Sequence, residues 1–258
     1  MLTTRLLATA AERPDLPLLV FLPGMDGSDL SLRQQSGELK NRFDARCFCI
    51  PKNDLTDWAG LVARLVELVT LEKKSRPHRL IYLCGESFGA CLALKAISSA
   101  STLFDRLILL NPASSFKQQF WSAFSPTVVK WMPGYELGAF GLLPFLISFE
   151  RVPKSNRQAL LQAMQQVTPE TAAWRLSLLN SFELEQTALT QFRAPTLLVA
   201  SVADRLLPSV NEAQRLANLL PDPQIITLPY SSHACLLETG VSLYQLLNQT
   251  QFIPALRV

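Results

Sequence analysis

The sequence predicts an α/β fold: a mostly parallel, doubly wound sheet with an inserted helical cap. Three observations lead there. Six apolar runs of four or five residues recur along the chain, helical segments separate them, and one interval, residues 111–194, breaks the rhythm at about 80 residues. That interval is far longer than the single crossover helix of a βαβ unit, so it reads as an insertion. The expected organisation is a core of residues 1–111 and 195–258 with a helical cap over 112–194. Size and composition agree with one large domain carrying an insertion. The 258 residues are 48% hydrophobic and 17% charged, apolar enough to bury a large core and to exclude disorder.

At the N-terminus, Arg5 is followed only by Leu6, Leu7 and Ala8 before Thr9 and Glu12-Arg13-Pro14. A secretory apolar region of about 7 to 15 residues is missing, so the expected location is cytoplasmic. The strands are expected at residues 18–22, 47–50, 80–84, 107–110, 196–200 and 225–228, nearly continuous apolar runs suited to burial on both faces. Between the second and third runs, Trp58, Leu61, Val62, Leu65, Val66, Leu68 and Val69 form the stripe of an amphipathic helix, with Asp54 or Thr56 as its cap. Further helices are expected from Ser87 to about Ser99, from Glu212 to Leu220 before Pro221, and over about 241–248.

The net charge is only +3, and Lys73, Lys74, Arg76 and Arg79 supply a local basic run. No nucleic-acid partner is expected from so small an excess, and the run reads as a solvated helix end and loop. The five cysteines are odd in number and contain no C-x-x-C pair, so they read as reduced, buried small hydrophobes in preference to zinc ligands. Gly138, Gly141 and Pro144 interrupt the apolar tract over 137–149. It is too short to span a bilayer, but it allows peripheral membrane contact through the cap. Nine aromatic residues crowd residues 112–153, while 156–182 resembles ordinary amphipathic helix.

The strongest chemical signal is Gly85-Glu86-Ser87-Phe88-Gly89, directly after an expected strand and before an expected helix. This is the G-x-S-x-G nucleophile elbow in its proper context, and it specifies the fold further as an α/β-hydrolase. The turn requires residues without bulk two positions either side of the serine, which Gly85 and Gly89 satisfy. A serine hydroxyl needs a base oriented by a carboxylate. Only two histidines exist; His78 sits in a polar loop, whereas His233 follows the last strand, so His233 is the expected base. Asp204, after the run over 196–200, completes the chain order Ser87, Asp204, His233. Asp222 and Glu212 are less well placed rivals, and Asp26 comes too early in the chain.

Acyl transfer also needs donors for the developing oxyanion, expected from the amides of Phe88 and of Met25 in Pro23-Gly24-Met25-Asp26-Gly27. That loop lacks both the P-loop lysine and the G-x-G-x-x-G spacing, so nucleotide binding is disfavoured. The cap aromatics Phe116, Phe120, Trp121, Trp131 and Phe145 are the expected lining for a lipophilic chain. The bland alternative is that they form the cap's own core.

Phe21-Leu22-Pro23-Gly24-Met25-Asp26-Gly27, the run Gly85-Glu86-Ser87-Phe88-Gly89-Ala90-Cys91-Leu92-Ala93-Leu94, and Asn111-Pro112-Ala113 resemble the α/β-hydrolase part of the plant plastid phytyl ester synthase family, the esterase/lipase/thioesterase group. The resemblance implies a lipophilic acyl substrate, with Ser87 as nucleophile, Asp204 as acid and His233 as base. Members of that family also carry an acyltransferase half marked by H-x-x-x-x-D. Here the fifth residue after His78 is Leu83 and after His233 is Glu238. The expectation is therefore a serine esterase or lipase-like hydrolase that needs no metal or organic cofactor. Acyl transfer to phytol or another lipophilic alcohol is the rival within enzymes, and a non-catalytic lipid-binding or interaction module the rival outside them.

Overall fold

The computed structural model describes residues 4–117, 143 and 145–253. Seven strands among them form one sheet: β1 (Arg5–Ala8), β2 (Leu18–Leu22), β3 (Asp44–Cys49), β4 (Ile81–Glu86), β5 (Arg106–Leu110), β6 (Thr196–Ser201) and β7 (Pro223–Leu228). Their spatial order is β1-β3-β2-β4-β5-β6-β7, parallel throughout except for β1 on β3. The helices are α1 (Leu30–Leu39), α2 (Trp58–Ser75), α3 (Phe88–Ala100), α4 (Lys154–Gln166), α5 (Pro169–Asn180), α6 (Gln186–Gln191), α7 (Ser209–Ala217) and α8 (Leu243–Gln249). This is the mostly parallel, doubly wound sheet that the apolar rhythm predicts, in the α/β-hydrolase form that the elbow at Ser87 specifies.

The near-continuous apolar runs have a direct explanation. Leu18, Val20 and Leu22 of β2 face a core shared with α2, α3 and α7, while Leu19 and Phe21 face a second core with α1 and α8. β4, β5 and β6 alternate in the same way, so every position but Arg106 at the start of β5 is buried on one face or the other. β7 departs from the expectation of burial on both faces because it is an edge strand paired only with β6, and Ile225 stays exposed. β1, at the other edge, lies outside the expected strands. Its four residues are half-buried or exposed and carry no run of apolar signal.

α1 is also absent from the pattern, and its reason is a polar residue in the core. Gln35 is buried and its amide donates to the carbonyls of Leu236 and Val241, while its oxygen accepts from the Leu243 amide at 2.8 Å. A satisfied glutamine does the work of an apolar residue and erases the stripe. α2 begins where expected, but its cap is Asp57, whose carboxylate accepts from the Gly60 amide at 2.8 Å. Asp54 instead accepts from the Thr56 amide one turn earlier.

The basic run is only partly solvated. Arg79 is buried, donating to Asp44 at 2.6 Å and to Glu72 at 3.1 Å, and Arg46 pairs with the same two carboxylates at 2.7 Å each. Burial works to raise the Asp44 pKa, but hydrogen bonds from Arg46 and Arg79 outweigh it and hold the carboxyl below its ordinary value. All five cysteines are free thiols, and four of them are buried. Among the described residues no helix is long and apolar enough to cross a membrane.

The helices between β5 and β6 do not stand apart from the core. Leu178, Leu179, Phe182, Leu189 and Phe192 pack into the same cluster as α2 and α3, and Trp58 stacks on Phe88 at 4.6 Å and meets Phe182 edge-on at 5.8 Å. Leu143, Ile147, Val152 and Leu160 form a separate small cluster with Leu30, Ala234 and Leu237. Removing the shared anion of the arginine network is expected to be costly. Asp44→Ala leaves two buried guanidinium groups short of a partner and should lower the unfolding free energy in urea by about 3–5 kcal/mol. A loss under about 1 kcal/mol would mean that Glu72 alone suffices.

Candidate active site

The chain runs from β2 outward to β3 and returns past β2 to β4, so the sheet reverses its winding direction between β2 and β4. Open α/β sheets leave a crevice at the carboxyl ends of such strands. The loop after β2 and the elbow after β4 meet there. Ser87 has φ 54° and ψ −110°, a conformation that a non-glycine residue adopts only when its surroundings impose it. The imposition is visible at its flanks. A Cβ on Gly89 would lie 2.0 Å from the Leu22 carbonyl oxygen, and one on Gly85 would lie 2.5 Å from the Gly89 oxygen. The start of α3 is thus pressed against the end of β2.

His233 lies on the loop after β7 and Asp204 on the loop after β6. Its Nδ1 is 2.7 Å from Asp204 Oδ2, and its Nε2 is 2.8 Å from Ser87 Oγ. An ionised carboxylate can only accept, so Nδ1 carries the proton and Nε2 is left to accept from the serine hydroxyl. Asp204 also accepts from the amides of Leu206 and Leu207 and from the Ser209 hydroxyl. Burial opposes its charge, but the His233 interactions and these donors prevail and hold its pKa below the ordinary value. For His233, burial alone would lower the pKa; the charge and hydrogen bond of Asp204, with Glu86 adding, raise it above 6.5.

The Phe88 amide is the first of α3 and, by its position, has no intrahelical acceptor. The Met25 amide sits in a turn closed by the Gly27 amide donating to the Gly24 carbonyl at 3.0 Å. A trans peptide directs its N–H opposite its C=O, so that bond fixes the direction of the Met25 N–H.

Of the aromatics expected to line a chain, Phe116 is buried in the main core and Phe145 is 43% exposed. Phe120, Trp121 and Trp131 lie outside the described residues. His78 is exposed in its loop, and Glu212 is taken by Ser114 and Arg215. Among the described residues no three His, Cys, Asp or Glu side chains are grouped to hold a metal ion.

Three residues at the site escape sequence reasoning. Asn111, fully buried with φ 43°, donates to the His233 carbonyl at 2.7 Å and to Ser201 Oγ at 2.9 Å, and accepts from the Ser201 amide. Asparagine tolerates that left-handed conformation better than most residues, which is the one signal Asn111-Pro112 carries. Glu238 accepts from the Ser232 amide and hydroxyl at 2.7 Å and pairs with Arg151, bracing the histidine loop. Glu86 is buried with Oε1 lacking a hydrogen-bond partner among the described residues, and burial pushes its carboxyl up to about 7. Ser31 and the His233 charge oppose that rise, and Asp26 adds to it.

Comparison with known proteins places the chain among hydrolases of this fold. Residues 52–240 match the model of the hydrolase family described as serine aminopeptidase, S33. The chain is 30% identical over 261 residues to phytyl ester synthase 1, chloroplastic, of Arabidopsis thaliana, covering 92% of this chain but 37% of that protein. The structure of MenH from S. aureus superposes with a TM-score of 0.78 at 18% identity, covering 97% of this chain and all of that one. An esterase from Exiguobacterium antarcticum gives 0.73 at 14% identity, covering 98% and 95%. At these identities the two structures speak for the fold alone.

Glu86→Gln removes a charge that raises the imidazole pKa, so the His233 titration followed by NMR should move to lower pH than in the wild type. The wild-type midpoint should lie above 6.5. A midpoint that stays in place in the variant would disconnect Glu86 from His233.

Proposed function

Because the chain belongs to the serine aminopeptidase S33 family of hydrolases, an enzyme class of the α/β-hydrolase type, we propose that it is a serine esterase acting on lipophilic acyl substrates. The observation that carries this reading is the continuous relay from Asp204 through His233 to Ser87, at 2.7 and 2.8 Å. Ser87 attacks an ester or thioester carbonyl while His233 takes its proton at Nε2. The imidazolium that forms is stabilised by Asp204, which keeps the ring's tautomer and orientation. The amides of Met25 and Phe88 receive the oxyanion, and the positive end of α3 adds to the same field. The tetrahedral adduct collapses as His233 returns the proton to the leaving alcohol or thiol. Water, activated by the same base, then releases the acid from the acyl-enzyme.

A lipophilic substrate is supported by the similarity to a phytyl ester synthase and by exposed Phe145 and Phe149. The chain spans 37% of that relative's length, so its synthase activity is a second reading for this chain. In that reading an alcohol intercepts the acyl-enzyme in place of water. The exposed aromatics also provide for peripheral contact with a membrane.

Ser87→Ala should lower kcat roughly 10⁴-fold or more and abolish fluorophosphonate labelling, whereas His78→Ala should leave the rate nearly unchanged. Labelling that persists without Ser87 would remove the nucleophile assignment. Each methylene moved into an apolar groove contributes about 0.8 kcal/mol, so four more carbons should raise kcat/KM by up to about two orders of magnitude. An ester series with and without phytol as acceptor, run on the wild type, Trp131→Ala and Phe145→Ala, checks both points. A rate that peaks at acetate in all three proteins would remove the lipid substrate.

A further inference from the structure

Helix α5 sends a charged side chain inward. Arg175 is only 2% exposed, and its Nη1 donates to the Met25 carbonyl while its Nη2 donates to the Pro51 carbonyl at 2.8 Å. Those carbonyls belong to the loops that leave β2 and β3. A residue from between β5 and β6 therefore bridges two loops at the carboxyl edge of the sheet, one of them the loop that carries the Met25 amide.

The geometry of that loop gives the contact its meaning. Gly24, Met25, Asp26 and Gly27 form a turn closed by the Gly27 amide on the Gly24 carbonyl, and Met25–Asp26 is its central peptide. The Gly24–Met25 peptide carries the Met25 amide and is set by that closing bond, while the Met25 carbonyl of the next peptide is the handle by which Arg175 holds the turn in place. The turn is held from its far side as well. The Ile50 amide donates to the Gly27 carbonyl at 3.0 Å, and a Cβ on Gly27 would lie 2.6 Å from the Ile50 oxygen and 3.0 Å from Arg175 Nη1. The guanidinium is packed against the turn as a wall.

We infer that Arg175 is a positioning residue for the oxyanion site: by tying the Met25 carbonyl to the Pro51 carbonyl it anchors the whole turn against the loop after β3, and so fixes where the Met25 amide, whose direction the Gly27–Gly24 bond sets, stands relative to Ser87. The inference rests on the serine-hydrolase reading and on the role given there to Met25. Arginine suits the task because its planar fork reaches two carbonyls at once and keeps its charge when buried. A group that aims an oxyanion donor should affect the transition state and leave ground-state binding nearly untouched.

The test compares the wild type, Arg175→Met and Arg175→Lys in ester hydrolysis and in inhibition by a trifluoromethyl ketone, whose serine adduct places an oxyanion in the site. Arg175→Met should lower kcat by roughly 10- to 100-fold with KM within about threefold, the range expected for losing or misplacing one donor. Its ketone affinity should fall by the same factor as kcat/KM. Arg175→Lys keeps the charge but one point of attachment, and should lose at least about fivefold in kcat, which serves where the methionine variant does not fold. Wild-type kcat and wild-type ketone affinity in either folded variant would overturn the role of Arg175 while leaving the serine reading intact. A wild type that neither hydrolyses esters nor takes a fluorophosphonate label would overturn that reading and the inference with it.

Discussion

The close approach of α3 to the end of β2 is the constraint on which the rest of the site depends. Leu22 pairs in register with Gly85, so the two strands end level with one another. The helix that follows β4 must then start beside the carbonyls of Leu22 and Pro23, and only a glycine at 89 leaves room for them. The chain reaches that position through a strained Ser87, at a cost of order 1–3 kcal/mol. Packing offsets the strain: Phe88 and the next six residues of α3 are fully or almost fully buried, and Trp58 covers the Phe88 ring. The serine keeps part of its surface at the crevice, while its neighbours on both sides are buried.

Two carboxylates lie within electrostatic reach of His233, and their environments separate them. Asp204 collects two backbone amides, a hydroxyl and the imidazole, enough to outweigh its burial, so it remains ionised. Glu86 is buried with fewer donors, and burial pushes its carboxyl up to about 7. The carboxylate that holds a permanent charge is the one bonded to the ring. Glu86 adds a field that varies with pH, and the identity of the histidine's partner follows from solvation as much as from distance.

Much of this arrangement is legible in the sequence because it rests on local rules. Strands buried on both faces leave continuous apolar runs, a tight elbow demands glycines, and a chain with two histidines offers little choice of base. What escapes is what long-range pairing decides. Gln35 hides α1 by making three hydrogen bonds to the region 236–243. Arg79 reads as part of a solvated run because nothing near it in sequence shows that Asp44 waits 35 residues upstream. Asn111, Glu238 and Arg175 act on backbone groups 90 or more residues away or on a loop's internal brace, and no periodicity announces such bonds. The aromatic residues show the limit from the other direction: composition alone groups Phe116 with Phe145, yet one is a core residue and the other stands in solvent.

The helices between β5 and β6 are joined to the site by hydrogen bonds as well as by apolar packing. The Ala234 amide, next to His233, donates to the Leu146 carbonyl at 2.8 Å, and the Ser148 amide donates to Ser232 Oγ at 2.9 Å. Arg151 pairs with Glu238, which itself braces Ser232. On the other side, Trp58 and Trp174 exchange indole bonds with the carbonyls of Leu178 and Thr56, holding α5 against the start of α2. Each of these bonds ends on a loop or helix start that carries, or lies next to, Phe88 or a residue of the hydrogen-bonded set Ser87, His233 and Asp204. Moving this part of the insertion as a rigid lid would break polar contacts at both ends and leave buried carbonyls and amides without partners, each at a cost of about 1–3 kcal/mol. The described helices are better understood as the outer wall that sets the positions of two loops.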